Sequence, residues 1–175
     1  HQKFAPIAFL LQQSPSHNTF AQAPCWQTPR LRALKEFAEY LNWINTHEYG
    51  LKEKMHPNNQ GVCWSLQAAA FADFVGNKEI LKWVRSQFRT VYLAAMMDEH
   101  GGFPAELKRT KPYGYSLFIM DAMAGVAQIA STEKNDLWQF VTPGGRSMKL
   151  GIEFIFPYIA DKGKWPYERD VMYWE

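Results

Sequence analysis

The chain has 175 residues, 47% of them hydrophobic and 21% charged, and its 19 Lys+Arg against 17 Asp+Glu give a net charge of +2. A chain of this size and apolar content can bury a core of its own, which excludes a disordered tail, a collagen-like repeat and a disulfide-dense mini-protein. Its apolar runs are too short to span a bilayer, and so small a charge excess makes no global case for nucleic acid, so charge has to be read locally.

The two cysteines, Cys25 and Cys63, have no companions at metal-ligand spacing, no pair of histidines is spaced for a metal, and no cofactor is expected. The aromatic content is the less ordinary number: 7 Trp, 8 Tyr and 12 Phe make up 15% of the chain. That is more than one small core requires, and flat rings left over from a core suit a ligand cleft.

The chain opens at His1, as a processed chain or a piece of a larger one would. Lys3, the apolar run 4–11 and Ala21-Gln22-Ala23 carry traces of a secretion signal. Pro6 interrupts that run and a polar stretch separates it from the small residues, so residues 1–28 are expected to form an irregular docked arm. Within it, His17 lies in the turn-forming stretch Ser14-Pro15-Ser16-His17-Asn18-Thr19, a candidate lid over a cleft.

From residue 29 the apolar periodicity is helical. Thr28-Pro29 is a start signal, and Leu31, Leu34, Phe37, Leu41 and Ile44 recur at three- and four-residue steps to about Thr46. A second helix is expected from about Val62 to Val75, stopped by Gly76; its apolar and Ala residues go nearly all round, which predicts burial on most sides. Asn77 can cap a third helix reaching about Met97, a fourth is expected from about Tyr115 to Ala130, and a fifth from about Arg146 to Ile159, with Ile152 and Phe156 among its core positions and Pro157 kinking or shortening it. No two-residue alternation stands out, so the expected class is all-α, built of antiparallel helix pairs over residues 29–160. Residues 161–175 are aromatic but aperiodic and read as a surface-wrapping tail.

The chemistry is expected in two interhelical segments. In the first, His56 to Trp64, Asn59 and Gln60 precede the buried helix, and two readings are open. Asn59 is a helix cap, or the two side-chain amides and the positive end of the helix dipole form a carboxylate site. In the second segment, Lys108, Arg109 and Lys111 sit close to Tyr113 and Tyr115. Either this is a solvated basic turn, or Arg109 pairs with a carboxylate in a two-bond fork while a tyrosine hydroxyl beside a cation has its pKa lowered.

The stretches Asn58-Asn59-Gln60-Gly61-Val62-Cys63-Trp64-Ser65-Leu66 and Gly102-Phe103-Pro104-Ala105-Glu106-Leu107-Lys108-Arg109-Thr110-Lys111-Pro112-Tyr113-Gly114-Tyr115 resemble the alginate lyase family of polysaccharide lyases, and the resemblance runs from about Arg32 to Trp165. It implies an (α/α) toroid, incomplete at this length, that cleaves an acidic uronate polymer of alginate or glucuronan type by β-elimination. An acidic polysaccharide is then the partner, with no nucleic acid and no membrane, and the location is secreted or periplasmic. The family's Asn falls on Asn59, its Arg on Arg109 and its Tyr on Tyr115; its His position holds Gln60, and the Arg-to-Tyr gap is a residue shorter.

Those residue types suit the reaction. The proton next to a sugar carboxylate is hard to remove until the carboxylate is neutralised, the role open to Asn59 and Arg109, while Tyr115 can serve as base and acid. Gln60 is no base near neutral pH, though its amide still donates. Three readings follow: an engineered change that stops turnover, a natural lyase relying on Tyr115 alone, or a protein that binds polyuronate without cleaving it. Trp64 and Tyr113 are the expected sugar-stacking rings, with Lys108 and Lys111 as further substrate contacts, while Trp43, Trp83 and Trp138 are assigned to the core. A glycoside hydrolase would want two opposed carboxylates, and Asp98, Glu99 and Glu106 do not form such a pair in sequence.

Overall fold

A computed structural model describes residues 27–174; the expected arm 1–28, with His17, lies almost wholly outside them. The described residues are all-α, with two isolated bridges and no strand. Among the described residues seven α-helices follow one another: α1 (Gln27–Thr46), α2 (Glu48–Lys54), α3 (Asn59–Val75), α4 (Lys78–Gln87), α5 (Pro104–Leu107), α6 (Pro112–Ala130) and α7 (Met148–Ala160). A π-helical segment, Phe88–Met96, continues α4, and a 3-10 turn, Lys162–Lys164, follows α7.

Helix α3 is the hub. It packs against α1, α2, α4 and α6, and Val62, Ala68, Ala69 and Ala72 are fully buried along it. Four alanines on a short stretch let neighbouring backbones approach closely, which is the physical content of its all-round apolar pattern. Gly76, at φ 76°, ends α3 in the left-handed conformation, and Asn77 immediately caps α4 by accepting from the Ile80 N–H. With so short a connection the chain doubles back, giving a helical hairpin.

Two helix starts lie earlier than the periodicity suggests. Helix α3 begins at Asn59, not Val62, because Asn58 is the cap: its side chain accepts from the Gln60 N–H. Helix α6 begins at Pro112, not Tyr115, because proline needs no partner for an N–H at the first helical position. Asn59, Gln60 and Tyr115 therefore sit in first turns of helices, and Arg109 remains in a loop.

The core faces also differ from expectation in places. Only Leu41 and Ile44 of the α1 series are fully buried, while Leu31 and Phe37 are exposed. In α7 the core face is Met148, Gly151 and Ile155, which turns Ile152 and Phe156 outward. Pro157 lies inside α7 without ending it; the helix runs on to Ala160.

One buried polar pair holds α3 to the π-helical segment. The Tyr92 hydroxyl donates to the Gly61 carbonyl at 3.2 Å and shares a 2.5 Å hydrogen bond with Ser65. Burial pushes the Tyr92 phenol up to about 12, against a smaller lowering effect of the Ser65 bond. The unfolded chain ionises this phenol near pH 10, so its contribution to stability is complete below that pH and is lost as pH rises towards about 12. Tyr92→Phe should cost about 1 kcal/mol at neutral pH and flatten the fall in stability between roughly pH 10 and 12, as read by denaturant midpoints across that range.

Candidate active site

The site is assembled around Glu106. This side chain has 0% exposure and sits at the end of α5, where its Oε1 accepts from the Asn59 backbone N–H at 2.6 Å and its Oε2 from Arg109 Nη1 at 3.0 Å. Arg109 Nη1 also donates to Asn59 Oδ1 at 3.2 Å. A buried carboxylate is tolerated only when paired and hydrogen-bonded, and here both oxygens have partners. The result is a closed triangle of Asn59, Glu106 and Arg109, linking the start of α3 to the loop before α6.

Tyr115 completes the cluster from the first turn of α6. The Arg109 guanidinium carbon lies 3.4 Å from the centroid of the Tyr115 ring, so the cation stacks on the ring face, a contact in which arginine's flat fork excels. The side-chain hydrogen bonds of Arg109 to Asn59 and Glu106 both use Nη1, which leaves the other edge of the fork for a ligand. Arg109 is about a third exposed along its side chain.

Of the two readings of the first segment, the backbone donors of α3 answer one. The Asn59 N–H is taken by Glu106, the Gln60 N–H by Asn58 Oδ1 and the Gly61 N–H by the Asn58 carbonyl. A carboxylate arriving here meets side-chain donors instead: Arg109, the amide of Asn59, and Gln60, which is exposed beside them.

Asn59 and Gln60 also form one end of a cavity of about 350 Å³ bounded by α1, α2, α3 and α6, with Cys63, Gln67 and Phe118 on its walls. Its rim is a ladder of rings: Tyr40 stacks on Trp43 at 5.9 Å, Trp43 on His47 at 4.9 Å, and His47 tilts against Tyr49 at 5.1 Å. Trp43 is 43% exposed and Tyr49 65%. The cavity wall also carries one carboxylate, Glu53. Burial, then Glu106 and Asp121, push the Cys63 thiol up, away from the lowered values of reactive cysteines.

The stacking assignments change accordingly. Trp64 is 5% exposed, donates its ring N–H to the Ile44 carbonyl at 3.2 Å, packs edge-on against Trp83 and carries Lys54 over its face. Its ring is occupied by protein, whereas Trp43, assigned to the core by its helical spacing, is exposed at its edge between Tyr40 and His47. Tyr113 points away from the cluster: its hydroxyl donates to the Tyr158 carbonyl, and its ring meets Trp165 and Trp174 edge-on. Lys108 is exposed, while Lys111 lies 5.3 Å from the Tyr173 ring. His56 is half-buried, with a buried Nδ1 that has no hydrogen-bond partner. Among the described residues no three His, Cys, Asp or Glu side chains gather as a metal cage, and no helix is long and apolar enough to cross a membrane.

Sequence reading missed Glu106 as the organiser. The available signal was its place three residues before Arg109 on a helical turn, where the two side chains meet. Fold and cluster together define an all-helical protein with a cationic, aromatic site at two helix starts. The family model for alginate lyase matches residues 10–165, and the chain belongs to the alginate lyase family. A crystal structure of an alginate lyase from Bacteroides ovatus at 1.60 Å resolution is similar, with a TM-score of 0.77 and 28% identity over 84% of this chain. The match covers 39% of that protein, so this chain spans well under half its length. No curated protein sequence matches.

Removing the Glu106 carboxylate leaves a buried N–H and a guanidinium unpaired. Glu106→Ala should cost about 3–5 kcal/mol, and Glu106→Gln, which keeps one acceptor, clearly less, as read from denaturant midpoints.

Proposed function

We propose that this chain acts as a polysaccharide lyase on an acidic uronate polymer, of alginate or glucuronan type, by β-elimination. The observation that carries the reading is the position of Arg109, bonded to Asn59 on one side and stacked on Tyr115 on the other. A carboxylate-neutralising group and a candidate acid-base group are thus neighbours. Family membership supports the same chemistry.

In the proposed reaction the free edge of Arg109 and the side-chain amides of Asn59 and Gln60 bind the sugar carboxylate. Tyr115, as phenolate, takes the proton from the adjacent C5; the electron pair moves into the carboxylate as an enolate, stabilised by the same donors. The enolate collapses to a C4–C5 double bond, the bond from C4 to the glycosidic oxygen breaks, and Tyr115 gives the proton to that oxygen. Tyr115 ends as it began.

A single residue can perform both transfers only when the C5 proton and the C4 oxygen leave from the same face. Mannuronate and glucuronate share that arrangement, and guluronate, the C5 epimer of mannuronate, does not. With Gln60 at the position where a second base would stand, mannuronate or glucuronate is the substrate class that Tyr115 can serve alone. Neighbouring sugars then run along the exposed edge of the Trp43–Tyr49 ladder, with Tyr49 the most open of its rings. A substrate of this kind puts the protein outside the cytoplasm.

The second reading, binding without cleavage, is favoured by Gln60 itself. Tyr115→Phe distinguishes the two: elimination, followed by the ultraviolet absorbance of the unsaturated product, should fall by about 100-fold or more while polymer binding stays within a few-fold. Unchanged turnover would remove Tyr115 from the reaction, and binding with no turnover in the unmodified chain would establish the binding protein. Trp43→Ala should weaken polymer binding by several-fold, about 1 kcal/mol, and change the maximal rate little, since the ring lies along the groove and away from the reacting atoms.

A further inference from the structure

Helix α6 lacks a cap of its own. The residue at its N-cap position is Lys111, whose side chain makes no capping hydrogen bond and, as an ammonium, has no lone pair to offer. Pro112 follows with no N–H, so Tyr113 and Gly114 present the first donors of the helix. Both are taken by one side chain from the C-terminal tail: Asp170 Oδ1 accepts from the Tyr113 N–H and Oδ2 from the Gly114 N–H, each at 2.9 Å.

The approach is close enough that a side chain at position 114 would displace the Asp170 carboxylate. A Cβ on Gly114 would lie 2.8 Å from Asp170 Oδ2. Asp170 is itself held by the tail, where the Val171 N–H donates to the Thr110 carbonyl at 3.1 Å and Lys162 Nζ reaches the carbonyls of Tyr173 and Trp174. The tail is thus fastened just beyond the point where it meets the helix. The next residue of that helix after Gly114 is Tyr115, and the loop that leads into it carries Arg109.

We infer that Asp170 is a positioning residue for Tyr115: by capping α6 from the tail, it fixes the first turn of the helix and with it the stacking of the Tyr115 ring on Arg109. The catalytic part of this inference rests on the lyase reading; the structural part does not. A cap supplied by a residue more than fifty positions away makes the geometry of the acid-base group depend on the tail being docked. It also fills the positive end of the α6 dipole with a carboxylate of the protein's own, so substrate carboxylates are directed to Arg109 and the amides.

The test uses Asp170→Ala and the milder Asp170→Asn, which retains one acceptor oxygen, in the full chain with selectively labelled tyrosine. In Asp170→Ala, amide exchange at Tyr113 and Gly114 should quicken by about tenfold, and the Tyr115 ring resonances should move as the Arg109 stack loosens. The maximal elimination rate should fall by about tenfold with KM within about twofold, and Asp170→Asn should fall between the two forms. Gly114→Ala, which displaces the Asp170 carboxylate, should reproduce the same changes. Tyr115 ring signals that stay in place in Asp170→Ala would overturn the inference, as would an unaltered rate once those signals have moved. If the unmodified chain produces no unsaturated product, the lyase reading fails on its own, and the ring signals still decide whether Asp170 positions Tyr115.

Discussion

A fully buried carboxylate with two obligations organises this molecule. Glu106 must be paired to be tolerated where it lies, and its partners are the first N–H of α3 and the guanidinium of Arg109. Satisfying it brings together segments 47 residues apart and fixes the direction in which Arg109 points. From that direction follow the bond to Asn59 and the stack on Tyr115. Helix α3 can present a rigid start because its remaining length is locked among Ala-rich contacts with α1, α4 and α6.

Much of the architecture was legible in the sequence because it is local. Periodicity and punctuation mark the long helices, and Gly76 and Asn77 act as stop and start in the fold. The boundaries that moved are the ones set by single side chains: Asn58 rather than Asn59 as cap, and Pro112 as the first residue of α6. The exchange of roles between Trp64 and Trp43 has a different origin. Both sit at helical spacing near the same loop, and only packing reveals that Trp64 faces Trp83 and the Ile44 carbonyl while Trp43 stacks in an exposed ladder.

The candidate site divides in the same way. Asn59, Arg109 and Tyr115 could be named from residue type and resemblance, since each is suited to its chemistry by its functional group alone. Glu106 was hidden because a glutamate in Pro104-Ala105-Glu106-Leu107-Lys108 looks solvated; nothing local says that it is buried. Asp170 was hidden for a stronger reason, since its partners lie more than fifty residues earlier and its role exists only after the tail has docked. Of the donors that the sequence places at the start of α3, the backbone N–H groups are taken by Glu106 and Asn58, which only packing reveals, and the side-chain amides remain.

The chemistry then turns on one position. On the proposed reading, Gln60 beside Asn59 leaves Tyr115 to make both proton transfers, and the stereochemistry of the sugar decides which polymers qualify. The most direct measurement mixes this chain, and its Gln60→His form, with polymannuronate, glucuronan and polyguluronate and follows unsaturated uronate by its ultraviolet absorbance. Turnover of mannuronate or glucuronate polymer and none of polyguluronate is the expected result for the chain as it stands. Cleavage of polyguluronate at a comparable rate, or silence on all three polymers, would contradict a lyase that works through Tyr115 alone; turnover only in the Gln60→His form would show that the missing histidine is essential.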